Sequence, residues 1–359
     1  MVHEHLRTVS REDISRPDWD DAATRSSHAW LWHHSDAIDA YASWDNVSDY
    51  SFAILDTSDA DRIVAITPLY AFNAGRLTCR LESTGGPAIS DNLPARQQRN
   101  VEDAIQASLR NIAQTLGARS IDLSLPPLAP ALRAEHAPHL NPLMLIGCQD
   151  MSTASWIVDL RNTSEGDLWR RLEQRVRKAV NKARAAGISV SKANPDDLDA
   201  YYALHIENCA RNRIPPKPKE YFSAIFQIFL PLSNARIFSA SDASGRKIAF
   251  HVFAVYKSAA LYWTTCSAGH ALLNGANDLI QWTAMQDFLA SGIEFYETGE
   301  AFPAVQDSKL RRISDFKKGF GGKLTPYFRG RIITRPVIHA GMDFLRAVRN
   351  AMRTYSHAN

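Results

Sequence analysis

The stretch RKIAFHVFAVYKSAALYWTTCSAGHALLNGANDLIQWTAMQDFLASGIEFYETG, residues 246–299, decides the fold of this chain. Its apolar and β-branched residues predict strands at 246–256 and 259–267. A loop then leads into a helix over 277–290, and a glycine ends that helix before a strand at 293–299. Two strands, a helix and a further strand in this order predict a unit of mixed α and β structure.

The flanking sequence predicts the remaining elements of the same unit. Ser164 and Asp167 have the spacing of a capping box and mark the start of a helix. The predicted elements are a strand at 155–160, helices at 165–186, 195–213 and 218–230, a strand at 235–240, a helix at 308–320 and a final strand at 323–334.

The first half of the chain repeats the order of elements seen in the stretch. RIVAITPL at 62–69 is followed by a strand, a loop, a helix at 98–116 and a strand at 118–125. We interpret this as a diverged duplication, the alternative being coincidence between two generic α/β units. The fold class is therefore α/β (α+β), with two tandem units that each contain a mixed, mostly antiparallel sheet flanked by helices. The predicted domains are 1–150 and 151–335, followed by a helical tail at 336–359.

Composition and charge exclude several classes of protein. The chain has 359 residues, a formal net charge of +3 and four cysteines without CxxC spacing or a Cys/His ligand cluster. The N-terminal segment lacks the apolar core of a secretory signal, and no run of about 18 apolar residues occurs. We expect a cytoplasmic protein without a metal site. Apolar residues at helical spacing over 336–353 indicate a helix packed on the body or one lying on the inner face of the membrane.

The predicted helix at 165–186 carries a stripe of cations. Arg171, Arg175 and Lys178 return to one side of a helix at spacings of three and four residues. Arg211, in the segment RNRIPPKPKEY, extends this basic surface. The stripe indicates either a solvated face or a docking surface for the phosphates of a nucleotide-linked precursor or an RNA.

Polar side chains near the end of the last strand of the stretch are suited to catalysis. Tyr296 and Glu300 lie near its C-terminal end, and strand alternation places Glu297 on the other face. A carboxylate there could accept a proton from an amine nucleophile, the alternative being a surface charge. In ISDFKKGFGG, Phe316 anchors a short helix, and Lys317 or Lys318 points into a cleft or into solvent. A lysine in the cleft would stabilise charge on a carbonyl oxygen.

The loop AGHALLNGANDL, residues 268–279, precedes the helix at 277–290. Its free backbone amides, with Gly275, are suited to hold a phosphate or an acyl carbonyl. The alternative is a plain turn in which Asn277 or Asp278 caps the helix.

These runs together resemble the FemAB-like branch of the GNAT superfamily, which includes peptidoglycan-bridge aminoacyl transferases and BioF-like acetyltransferase domains. The resemblance covers about 155–335 and is carried by VRKAVNKARAAGISV, by GANDLIQWTAMQDFLASGIEFYETG and by the ending SDFKKGFGG. It implies two tandem GNAT-like units and transfer of an acyl or aminoacyl group to an amine by direct attack. It also implies a functional pair, Phe316 and Lys317. We expect the donor to lie at the splayed strands 259–267 and 293–299, held by Tyr262, Thr264 and the loop with Gly275, Asn277 and Asp278.

One departure from the resemblance bears on the donor. GNAT acetyltransferases bind the coenzyme A pyrophosphate with a Gln/Arg-x-x-Gly-x-Gly/Ala loop, whereas this chain has Leu272 at the first position and Asn277 at the last. Both acyl-CoA and aminoacyl-tRNA therefore stay open as donor substrates, and we expect no tightly bound cofactor.

The expected function is an N-acyltransferase acting in cell-envelope or polysaccharide biosynthesis. Its acceptor would be a small, nucleotide-linked or lipid-linked amine, with tRNA and the membrane surface as further candidate partners. The first alternative is a non-catalytic scaffold for an envelope polysaccharide system. The second is RNA binding through the basic helix. The sequence does not indicate an oligomeric state.

Overall fold

A computed structural model describes residues 5–72, 79–272, 274–302 and 308–341. No helix within these residues is long and apolar enough to cross a membrane. The tail helix predicted over 336–353 extends beyond the described residues. The elements of the first half are β1 (Leu6–Ser10), α1 (Arg16–Arg25), α2 (Ser35–Ala42), β2 (Val47–Asp49), β3 (Phe52–Asp56), β4 (Arg62–Thr67), β5 (Tyr70–Phe72), β6 (Arg80–Ser83), β7 (Ala88–Ile89), α3 (Ala95–Thr115), β8 (Ser120–Ser124) and β9 (Gln149–Asp150).

The second half begins with β10 and holds the elements predicted from the stretch at 246–299. Its elements are β10 (Thr153–Asp159), α4 (Glu165–Arg171), α5 (Gln174–Ala185), β11 (Ser189–Lys192), α6 (Leu198–Asn212), α7 (Lys219–Ala224), β12 (Ala235–Ser241), β13 (Lys247–Tyr256), β14 (Ala259–Ser267), α8 (Ala276–Ala290), β15 (Phe295–Ala301), α9 (Ser308–Lys318), β16 (Lys323–Tyr327) and β17 (Arg329–Ile333).

The described strands form three sheets. The second half has a seven-stranded sheet in the order β11-β12-β13-β14-β15-β10-β16. The first half is divided between a four-stranded sheet, β1-β3-β4-β7, and a six-stranded sheet, β2-β5-β6-β8-β17-β9. Parallel pairing occurs between β14 and β15 and between β6 and β8, and antiparallel pairing elsewhere. The sheets are therefore mixed and mostly antiparallel, as expected.

The strand predicted at 323–334 is two strands that belong to different sheets. β16 pairs with β10 in the second half, and β17 pairs with β8 from Arg329↔Ser124 to Ile333↔Ser120. The chain passes between the sheets at Phe328, whose side chain is buried in the core of the first half. The end of the expected 151–335 unit thus completes the sheet of the first unit.

The helix predicted at 165–186 is also broken in two. Leu172 and Glu173 have extended backbones between α4 and α5, and the Glu173 N–H donates to the Gly319 carbonyl at 2.9 Å. The predicted capping box at the start of α4 is confirmed, since Ser164 and Asp167 bond each other reciprocally. The break lets α5 turn so that its apolar side chains enter the core next to the end of α9.

The seven-stranded sheet is covered on both faces. One face packs against α5 and α8, with Val176, Val180 and Phe288 in the core. The other face packs against α6, α7 and the segment before α2, which contributes Trp30 and Leu31 from the first half. Burial of each large apolar side chain is worth about 1.5–3 kcal/mol, so this second core joins the two halves.

A partly buried lysine ties the halves together at the β13–β14 turn. Lys257 and Ser258 form a two-residue hairpin turn with φ values of 44° and 53°. The Lys257 ammonium donates to the carbonyls of Ala23 at 3.1 Å and Ser26 at 2.5 Å, at the C-terminal end of α1. A cation there complements both the unpaired carbonyls and the helix dipole. Burial lowers the pKa of Lys257 to about 8.

We expect Lys257→Met to lower the free energy of unfolding by about 2–3 kcal/mol, because the carbonyls at the end of α1 lose their donor. Denaturant unfolding measures this change. The matched control is Lys323→Met at an exposed position on β16, which should change stability by less than about 0.5 kcal/mol. Equal effects of the two substitutions would contradict the role given to Lys257.

Candidate active site

The strands β14 and β15 part in the middle of the seven-stranded sheet. They pair in parallel over Ala259↔Phe295, Ala260↔Tyr296 and Leu261↔Glu297. Just beyond, the register of β14 against β13 shifts, and so does that of β15 against β10. Each shift leaves one extra residue, Trp263 in β14 and Thr298 in β15. Bulges increase the local bend and twist of a strand, so the two strands diverge where both carry one.

The bulge in β14 separates two side chains that were expected to act together. Tyr262 lies opposite Phe253 and faces α8, with its ring 4.9 Å from the ring of His251. Thr264 lies opposite Val252 on the other face, where its Oγ1 is 3.3 Å from the Tyr201 hydroxyl. The structure therefore does not bring Tyr262 and Thr264 together, because the extra residue at Trp263 reverses the alternation.

The bulge in β15 has the opposite effect, since it places two carboxylates on one face. Glu297 lies opposite Ile157 and Glu300 lies opposite Ser155. Strand alternation alone predicted Glu297 on the other face from Glu300, and that prediction is wrong because Thr298 is an extra residue. Strand alternation in the sequence thus did not identify Glu297 as a candidate catalytic residue.

Glu297 is a buried carboxyl group with one hydrogen-bond donor. Its side chain is only 4% exposed, and the Ser155 hydroxyl donates to Oε1 at 2.5 Å. Burial raises the pKa of Glu297 to about 7, against the opposing effects of the Ser155 hydrogen bond and the Lys317 charge. A carboxyl group that titrates near neutrality is suited to accept or donate a proton.

Lys317 points toward the end of β15, which resolves the choice between Lys317 and the exposed Lys318. Its ammonium donates to the Glu300 carbonyl at 2.9 Å. Gly299 makes this approach possible, since a Cβ at that position would lie 2.9 Å from Lys317 Nζ. Burial lowers the pKa of Lys317, and the charges of Glu297 and Glu300 oppose that shift.

The other three predicted catalytic side chains have distinct positions. Phe316 packs on the core, with its ring 5.0 Å from that of Phe320, and so anchors α9. The Glu300 carboxylate accepts hydrogen bonds from Thr153 Oγ1 and from Arg329 Nη2, each at 2.8 Å. Tyr296 is fully buried on the α8 face and donates to Gln281, so it does not join the carboxylates.

A cavity of about 230 Å³ lies between the two halves, on the same sheet face as Glu297. Most of its wall is aromatic. Leu261, which pairs with Glu297 of the neighbouring strand, forms part of this wall. The lining residues are Trp32, Ala37, Ala40, Tyr41, Trp44, Tyr70 and Thr84 from the first half and Lys217, Tyr221, Phe229, Leu261, Trp263 and Tyr327 from the second.

The start of α8 is shaped by close helix packing. Gly275 has a φ of 74°, and a Cβ there would lie 2.3 Å from the Ala179 carbonyl of α5. The helix has no side-chain cap, which excludes the alternative in which Asn277 or Asp278 caps it. Asn277 Oδ1 is instead 3.1 Å from His251 Nε2. Burial raises the pKa of Asp278 to about 6, and nearby Arg175 opposes this.

The basic stripe is divided, because Arg171 ends α4 while Arg175 and Lys178 belong to α5. Arg171 donates to the Asp159 carbonyl at 2.9 Å, and Arg175 donates to carbonyls of α9, including that of Phe316 at 3.3 Å. Arg211 donates to the Ser267 carbonyl at 2.7 Å. Lys178 is exposed. Three of the four predicted phosphate ligands therefore bind backbone carbonyls and hold the framework of the site.

Metal ligands are not clustered in the described parts of the chain. No group of three or more His, Cys, Asp and Glu side chains within them could hold a metal ion. The four cysteines are buried and free.

Comparisons with known proteins agree with this geometry. Residues 170–305 match the family described as an acetyltransferase (GNAT) domain, and no curated protein matches the sequence. The structure of FemX is similar with a TM-score of 0.67 at 13% identity, over 93% of this chain and 99% of that chain. The C-terminal domain of a putative lysylphosphatidylglycerol synthetase from Agrobacterium fabrum is similar with a TM-score of 0.59 at 15% identity, over 92% and 95%.

A third structure shares the tandem arrangement. It is a tandem GNAT protein from the clavulanic acid biosynthesis pathway, with a TM-score of 0.51 at 12% identity, over 92% of this chain and 98% of that chain. The expected fold of two tandem GNAT-like units is thus confirmed. The expected resemblance is confirmed too: residues 170–305 match a GNAT acetyltransferase domain, and the fold of the chain is similar to those of FemX and the lysylphosphatidylglycerol synthetase domain.

Proposed function

We propose that the protein is an N-acyltransferase whose donor lies where β14 and β15 part and whose acceptor amine lies in the cavity between the halves. The observation that carries this proposal is the pairing of Leu261 with Glu297, since it puts a carboxyl group of near-neutral pKa beside both spaces. The Lys317 ammonium lies at the same strand end. A base and a cation are the groups that direct acyl transfer needs.

The proposed reaction is a single displacement. The amine nitrogen forms a bond to the donor carbonyl carbon, and the bond to the thiolate or alkoxide leaving group breaks. Ionised Glu297 takes the proton that the nitrogen loses, and the leaving group departs with the electron pair of its bond. The Lys317 charge stabilises the negative charge that develops on the carbonyl oxygen. Ser155 keeps the Glu297 carboxylate oriented through its hydrogen bond.

The start of α8 bears on the nature of the donor. A helix N-terminus attracts phosphate, but Asp278 in the first turn has a pKa of about 6 and is mostly ionised at neutral pH. Its charge disfavours a pyrophosphate there, as does the apolar Leu272 at the first position of the loop. An aminoacyl ester whose phosphates bind elsewhere avoids this repulsion, so assays should compare acetyl-CoA with aminoacyl-tRNA.

The cell envelope is the setting we propose for the reaction. FemX and the lysylphosphatidylglycerol synthetase domain share this fold over more than 90% of the chain. The acceptor would be an amine carried by a small, nucleotide-linked or lipid-linked envelope precursor. Absence of transfer from every donor tested to every such amine would favour a non-catalytic scaffold instead.

We expect Glu297→Gln to lower kcat by about 10²–10⁴-fold, because the amide cannot accept the proton. In the wild type, the rate should rise as pH increases through about 7 and Glu297 ionises. The variant should lack that rise. The matched control is Glu294→Gln, at the residue before the same strand, where the side chain is 47% exposed. A folded Glu297→Gln enzyme with the wild-type rate and pH profile would contradict the assignment.

Lys317→Met should reduce kcat by about 10²-fold with little change in KM, because the substitution removes charge stabilisation present mainly in the transition state. Steady-state kinetics on the folded variant provide the measurement. Lys318→Met, one residue along and exposed, should keep the wild-type kcat. If Lys317→Met keeps it as well, the ammonium has no part in the chemistry.

The free energy of unfolding should depend on pH because the pKa of Glu297 is raised in the folded state. The folded-state pKa, about 7, is above the ordinary value of 4.5. The group therefore stabilises the fold below pH 4.5, and this stability is lost as pH rises through 7. Glu297→Gln should match the wild type at pH 4 and be more stable at pH 8, by on the order of 3 kcal/mol. Denaturant melts at both pH values test this, and a constant difference between the proteins would contradict it.

A further inference from the structure

The cavity between the halves is lined by a partly buried cation. The Lys217 ammonium lies 5.0 Å from the centre of the Trp44 ring and 4.5 Å from that of Tyr221. Its backbone N–H donates to His205 Nε2 at 3.1 Å, which fixes the segment in place. No carboxylate lies within ion-pair distance of this ammonium in the parts of the chain that the structure describes. Burial lowers the pKa of Lys217 to about 8, so the group is still mostly charged at neutral pH.

A second unpaired donor belongs to the same wall. The indole Nε1 of Trp44 is buried and has no hydrogen-bond acceptor among the described residues. Such a donor costs about 1–3 kcal/mol when it stays unpaired. Trp44 and Lys217 both line the cavity. A cation and an N–H donor without acceptors, close together, are suited to bind an anion.

The group of opposite charge lies on β15, next to the cavity-lining strand β14. Trp263 contacts Tyr221, the ring beneath Lys217, with ring centres 6.0 Å apart. Leu261, two residues away, pairs with Glu297. The cavity wall therefore runs from a cation across aromatic rings to Leu261, which pairs with the carboxyl-bearing Glu297. Tyr327 also lines the cavity, where burial and the nearby charges of Glu297 and Glu300 all act to raise the pKa of its hydroxyl.

We infer that the cavity binds an acceptor carrying an amine and a carboxylate at opposite ends of a ring-sized body. The carboxylate would bind Lys217 and Trp44, the body would lie among the aromatic rings, and the amine would reach Glu297. The inference rests on the proposed function for the direction of the amine, and it adds the chemical class of the acceptor. An arylalkyl amino acid and an amino-sugar acid share this chemistry.

Quenching of tryptophan fluorescence measures binding without any donor, because Trp32, Trp44 and Trp263 line the cavity. The probes are 4-(aminomethyl)benzoate and 4-methylbenzylamine, which differ in the carboxylate. We expect the carboxylate-bearing probe to bind at least tenfold more tightly. Lys217→Met should abolish that preference, and Trp44→Phe should reduce it several-fold. The control Lys219→Met, at an exposed lysine paired with Asp199, should keep it.

Equal affinity of the two probes, no binding of either, or an unchanged preference in folded Lys217→Met would each overturn the inference. 2-Amino-2-deoxyglucuronic acid and glucosamine form a second pair, and the pair with the larger ratio of affinities shows whether the body is an aromatic ring or a sugar ring. Because binding is measured without donor, its outcome is separate from that of the transfer assay. Binding with the expected preference but without transfer would reject the proposed function and support the carboxylate site.

Discussion

Two bulges, at Trp263 and Thr298, are the constraint on which the site depends. They come immediately after Leu261↔Glu297, the last pair of the parallel ladder between β14 and β15. Together they open the sheet, and the second also brings Glu297 and Glu300 to one face. A regular strand would open no gap and would leave these carboxylates on opposite faces. The space for a donor and the placement of the base thus have one structural cause.

The two halves share the wall of the cavity that we propose as the acceptor site. The cavity wall is shared between them, β17 of the second half completes a sheet of the first, and Lys257 binds the end of α1. A partly buried ammonium with backbone partners resists separation of the halves, since separation would leave its acceptors unpaired. In the proposed mechanism, the first unit shapes the acceptor site while the second holds the chemistry.

The sequence predicted the order of elements, the duplication and the position of Lys317 near a strand end, because periodicity and helix-ending glycines are local signals. It failed where the outcome depended on partners distant in the chain. Glu297 was placed on the wrong face because a bulge depends on the neighbouring strand. The sequence predicted a single helix for the basic stripe. That helix is broken where the Glu173 N–H donates to the Gly319 carbonyl. The cavity could not be predicted from the sequence, because its aromatic residues come from separate segments of the chain.

The central claim is that a buried carboxyl group, Glu297, is the base for amine attack. The most direct measurement is ¹³C NMR of glutamate side-chain carboxyls across a pH series, in the wild type and in Glu297→Gln. We expect one resonance that titrates near pH 7, is missing in the variant, and has the same midpoint as the pH dependence of transfer. Titration of the Glu297 carboxyl near its ordinary pKa of 4.5 would contradict the claim.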